Sequence, residues 1–155
     1  MRTPASILGH PIHPMLVPIP IGLWLFSLVC DLAYVFGNGD PVWRVVALYA
    51  IVGGLIGALA AAVPGLVDLL SLPAAPKRTA IAHMTINLTV VALYAINAWM
   101  RLGASGTAAR SITETTILMS IAGVAMLVVS GWLGGKMVYE GGVGVSSGEP
   151  PPLRR

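Results

Sequence analysis

Three histidines and one aspartate are the side chains of this chain best suited to chemistry. The stretch GHPIHP sets His10 and His13 between prolines, just before a long apolar run. Asp68 and His83 follow far along the chain. Three imidazoles and a carboxylate are a donor set for a single zinc or iron ion, with His10, His13, His83 and Asp68 as the ligands. His13 and His83 alone form the better pair for the axial positions of one b-type haem, because both belong to or adjoin apolar segments. A haem there would make the protein an electron carrier. The same groups also suit a proton or cation relay. In the plainest reading they do no chemistry: His10 and His13 anchor the entry to a membrane span, His83 donates a hydrogen bond, and Asp68 neutralises a basic loop.

The choice depends on the elements that carry these residues. Of the 155 residues, 56% are apolar and only 10% charged, against about 25% charged in an ordinary soluble domain. Mean hydropathy is +0.84. So few charges cannot cover a water-facing surface, and the solvent for most of the chain is lipid. Four apolar stretches run from Met15 to Phe36, Trp43 to Leu70, Thr79 to Met100 and Ser111 to Tyr139. Each reaches the roughly 20 residues needed to cross about 30 Å of hydrocarbon. Helices satisfy their own backbone in lipid, so the expected fold is all-α, a polytopic membrane protein with a four-transmembrane-helix bundle. The expected organisation is an entry segment over 1–14, the transmembrane domain over 15–139, and a disordered cytoplasmic tail over 140–155, rich in Gly, Ser and Pro. The N-terminus lacks a clear small-residue cleavage site, so the first span is expected to stay.

Four spans place both termini on one side. Arg2, Lys77, Arg78, Lys136, Arg154 and Arg155 fall on that side, and Arg44, Arg101 and Arg110 on the other. The positive-inside rule then favours both termini in the cytoplasm, and the expected location is the cell inner (plasma) membrane. Whatever the orientation, His10, His13, His83 and Asp68 gather near one membrane face, joined by Lys136, Tyr139 and Glu140. Asp68 there needs a partner: Lys77, Arg78 or Lys136 in a structural role, a histidine N–H or a cation in a functional one. At the opposite face Asp31 and Glu114 are expected to pair with Arg44 or Arg110. The single Cys30 permits no internal disulfide and reads as a small buried hydrophobe.

Helical periodicity adds three features. Thr79, His83, Asn87 and Tyr94 share one face of the third span. Gly53, Gly57, Ala61 and Gly65 form a small-residue ridge on the second, suited to the bundle interior or to a homodimer. Pro64 in that ridge frees a backbone carbonyl. Gly131, Gly134 and Gly135 in the fourth span admit a neighbouring helix or a flat ligand, with Trp132 and Tyr139 as interfacial anchors. No phosphate-binding loop, serine elbow or basic nucleic-acid patch is present, so nucleic acid is not an expected partner.

The segments GHPIHPMLVPIPIG at 9–22, Asp31, AAVPGLVDLL at 61–70, AIAHMTIN at 80–87 and the glycine-rich end of the fourth span together resemble the domain-of-unknown-function 2231 family. The resemblance spans Gly9 to Val145 and implies a four-helix bacterial membrane protein with no established activity. The family is distantly similar, in helix number and in histidines near membrane faces, to b-type cytochrome-like membrane proteins. Some relatives are joined to Rieske-type iron–sulfur domains. This chain has no Rieske ligand pattern, so the implied redox partner is a separate protein. Three histidines allow one haem, with His13 and His83 axial, and His10 and Asp68 in supporting polar contacts.

Overall fold

The computed structural model describes residues 3–103 and 113–145. A small β-hairpin comes first, with β1 over Ser6–Ile7 and β2 over His10–Pro11. Helices α1 (Ile12–Leu16) and α2 (Pro18–Phe36) follow and together make the first span, Ile12–Phe36. The spans α3 (Pro41–Ser71), α4 (Ala74–Leu102) and α5 (Glu114–Tyr139) complete the bundle. All four spans are long and apolar enough to cross a membrane. Helix begins at Ile12, ahead of the expected Met15, because Pro11 and Pro14 both fall where a first turn tolerates proline.

The ends are set by local chemistry. Asp40 caps α3 by accepting the Val42 N–H at 2.9 Å, and Pro41 occupies the first helical position. Thr113 and Thr116 cap α5 reciprocally. The α5 end is closed by Gly142, at φ +61, with the Gly142 and Val143 N–H groups returning to the carbonyls of Val138 and Met137. Val143 then packs on Leu69, Leu72 and Ala80. The expected tail is therefore folded back as far as Val145, and its remainder, 146–155, lies outside the described residues.

The four spans form a closed ring, with α2 on α3, α3 on α4, α4 on α5 and α5 on α2. The ridge on α3 serves this interior. A Cβ at Gly53 would lie 3.2 Å from Leu23, and one at Gly57 would lie 3.1 Å from Ile19. The open alternative of a dimer through this ridge is thereby closed, because α1 and α2 already fill it.

At mid-bundle Trp24 and Tyr94 stack face to face, 4.4 Å between ring centroids and 3° between planes. Gly54 lies against the Trp24 indole and Gly123 against the Tyr94 ring. One aromatic pair thus fills the ring of helices, with a glycine behind each ring. The indole N–H donates to the Ile51 carbonyl at 3.2 Å. Val90, Leu48, Ile51, Ala98 and Leu127 close the layer.

Candidate site: a histidine pair at one face and an ion pair at the other

Thr79, His83, Asn87 and Tyr94 lie on one stripe of α4, as their spacing predicts, and the stripe runs further. It continues through Asn97 to Arg101. At 1.5 Å per residue His83 and Arg101 are about 27 Å apart along the axis, close to the thickness of the hydrocarbon core. Polar chemistry is therefore split into two layers, one near each membrane face, with the aromatic layer between them.

The first layer holds His13 and His83. His13 comes from α1, and its Nδ1 lies 2.8 Å from the Ala61 carbonyl on α3. His83 Nδ1 lies 2.9 Å from the Ser130 carbonyl on α5 and 3.0 Å from the Ser130 hydroxyl. Asn87 donates to that hydroxyl oxygen at 2.6 Å and to the His83 carbonyl at 2.8 Å. A carbonyl only accepts, so each bond places the ring proton on Nδ1 and leaves the lone pair of the neutral imidazole on Nε2. The two rings stand perpendicular, 87° apart, with centroids 6.2 Å from each other.

Glycine makes room for the His13 ring but is not needed for that of His83. A Cβ at Gly65 would lie 2.7 Å from His13 Nδ1, whereas one at Gly134 would lie 3.6 Å from His83 Cε1. Ala61 sits beside Ala60, whose carbonyl Pro64 leaves without its helical N–H donor. The carbonyl that Pro64 frees is thus Ala60's, one residue before the one His13 bonds. Gly65→Ala should push the His13 ring off the Ala61 carbonyl and lower stability by about 1–3 kcal/mol. Gly134→Ala meets only ordinary contact and should be neutral or better. Thermal unfolding in detergent reads the difference.

The other two expected site residues stand apart from this pair. His10 is exposed in the hairpin, with Nδ1 3.1 Å from the Leu8 carbonyl. Asp68 is buried, but its Oδ1 accepts the Ala5 N–H at 2.9 Å. That bond replaces the expected Lys77, Arg78 or Lys136 partner and fastens the hairpin to the end of α3. Among the described residues no group of three or more His, Cys, Asp or Glu side chains is placed to hold a metal ion.

The second layer corrects an expectation. Asp31 pairs with Arg101 rather than with Arg44. Arg101 donates from two guanidinium nitrogens to the two Asp31 oxygens at 2.7 and 2.6 Å, with both side chains fully buried. Its Nε donates to Asn97 Oδ1 at 2.6 Å, and Asn97 Nδ2 donates to the Thr116 carbonyl and the Ser120 hydroxyl. The fork of arginine matches a carboxylate and keeps a donor for a third partner, which explains why Arg101 can be buried whole. Arg44 instead lies over the Tyr34 ring, 5.2 Å from its centroid. Glu114 sits in the first turn of α5, where a helix favours negative charge. Arg110 lies outside the described residues.

The sequence alone does not single out this network, because Arg101 follows the third apolar stretch and reads as a charge that sets topology. The signal was available: Tyr94, Asn97 and Arg101 repeat the three- and four-residue steps of His83 and Asn87. Thr116 and Ser120 supply matching rungs on α5.

Residues 9–147 match the family model of the predicted membrane protein DUF2231. No curated protein and no solved structure matches the chain.

Proposed function

The chain belongs to this family of predicted membrane proteins, and we propose that His13 and His83 are the axial ligands of one b-type haem in a membrane electron carrier. The observation that carries the reading is the adjacent pair itself, with ring centroids 6.2 Å apart. Two imidazoles arrive from different helices, each turned by a carbonyl so that Nε2 is free of the backbone. Second bonds of this kind fix the ring and raise the basicity of a ligating histidine.

Ligand number favours haem over a bare ion. A zinc site takes three or four protein ligands, and no group of three is placed for one among the described residues. Haem iron asks the protein only for axial ligands, as the porphyrin supplies the rest. Two rings that share one metal ion must have their centres within about 6 Å of each other. The observed separation is 6.2 Å. The bound group would supply one-electron chemistry. The chain's own part is to hold both rings, through Ala61 and Ser130, and to keep the site at one membrane face. A separate redox protein would meet it there.

The same carbonyl bonds favour a second reading, in which the histidines only tie α1 to α3 and α4 to α5. Absorption spectra of protein purified from haem-replete membranes separate the two. The haem reading expects a Soret band that shifts on reduction, is lost in His13→Ala and in His83→Ala, and persists in His10→Ala. Folded protein with no Soret band overturns it and leaves the structural ties. A bound copper, zinc or iron ion without haem, lost with either histidine, moves the pair to ion handling.

A further inference from the structure

We propose that the tip of the N-terminal hairpin, Ile7 and Leu8, is inserted into the interfacial layer of the bilayer on the histidine side, as a lipid anchor. This inference is independent of any cofactor at His13 and His83.

Two oddities meet at Leu8. Its φ is +51, and among the described residues it is the only non-glycine with positive φ. Its neighbour Gly9 is at +82. A two-residue hairpin turn with both φ values positive favours Asn-Gly or Gly-Gly, because a branched or bulky side chain crowds the backbone there. Leu8 is also 94% exposed, and Ile7 is 61% exposed. In water, asparagine would be better on both counts. In lipid, the exposed leucine becomes favourable, and only the turn is compromised.

The surroundings favour lipid over a protein partner. No Asp, Glu, Lys or Arg occurs from Thr3 to Cys30. Such a stretch gives a soluble partner no charge to read and gives the headgroup layer none to desolvate. Leu8 precedes the first residue of the span, Ile12, by four positions, so the tip stays within about 14 Å of it even if fully extended. Hydrocarbon gives way to an interfacial layer of about 5–7 Å on each side. The base of the hairpin is tied back to the helix ends. Ala5 is bonded to Asp68, Ile12 N–H donates to the Ala5 carbonyl at 2.9 Å, and Pro11 packs against Gly144. Met15 on α1 is also 62% exposed.

The test is collision spectroscopy on the full chain, with Cys30→Ser to leave one thiol. A nitroxide at Leu8→Cys is measured in phosphatidylethanolamine–phosphatidylglycerol vesicles against oxygen, which concentrates in lipid, and a water-soluble nickel chelate. Ile7→Cys repeats the measurement with the Leu8 turn intact. Leu118, lipid-facing on α5, and Asn38, in the α2–α3 turn, set the two limits. The proposal expects an oxygen-to-nickel ratio at both tip positions shifted from the Asn38 value toward the Leu118 value. A ratio equal to that at Asn38 overturns it by placing the tip in water. A label reached by neither reagent also overturns it, by placing a protein, a second copy included, over the tip.

Discussion

Asp31→Asn should be the most damaging single change in the bundle outside its backbone. It keeps the shape of the side chain but removes the charge that Arg101 is buried against. With both groups at 0% exposure, the Arg101 guanidinium cannot reach water without moving α4. Breaking a buried pair by removing one partner costs about 3–5 kcal/mol. Asn97 adds to the loss, because its oxygen is committed to Arg101 Nε and its nitrogen to Thr116 and Ser120 on α5. Arg101→Lys should fall between, since a single ammonium cannot bond both Asp31 oxygens and Asn97 at once. The pair Asp31→Leu with Arg101→Met should recover most of the stability, because no charge is then left behind. Thermal unfolding followed by size-exclusion chromatography in detergent gives the order. If Asp31→Asn unfolds with the wild type, the ion pair is not what joins α2 to α4.

That network also marks the limit of what the sequence discloses. The number of spans, their approximate ends and the common face of His13 and His83 follow from hydropathy and from counting crossings. Those quantities depend on order along the chain alone. Partner choice across the bundle does not. Asp31 had three arginines at its own face, and selecting Arg101 requires knowing that α4 turns its stripe toward α5 and α2. The gathering of four donors illustrates the same gap at the histidine face. Counting crossings places His10 and Asp68 in the right layer, yet layer thickness is a few residues and a ligand sphere is a few ångströms. Asp68 spends its lone pair on the Ala5 N–H because the hairpin folds over the end of α3. The hairpin was invisible to periodicity, since its strands are two residues each. His13 and His83 meet because Gly65 has no side chain where the His13 ring lies, a contact that no spacing rule contains.

The second large effect is expected at the glycines behind the aromatic pair. Replacing helical glycine by alanine ordinarily gains up to about 1 kcal/mol. That gain should appear at Gly22 and Gly131, where an added Cβ meets nothing within 4 Å. At Gly54 the new methyl would fall into the Trp24 indole, and at Gly123 it would lie 2.6 Å from Tyr94 Cε2. Neither ring can retreat alone, because each is stacked on the other and tethered, Trp24 to the Ile51 carbonyl and Tyr94 to the Ser120 carbonyl. Each substitution should therefore reverse sign and cost about 1–3 kcal/mol. The two glycines press on the stack from opposite helices, α3 and α5. Gly54→Ala with Gly123→Ala should then cost more than the sum of the singles, since any shift that relieves one tightens the other. Trp24→Leu should soften the Gly54→Ala penalty by giving the methyl a smaller neighbour. Melting temperatures of the two singles, the double and the Gly22 and Gly131 controls decide the matter. Additive behaviour would mean that the rings move independently and that the stack does not join the four helices.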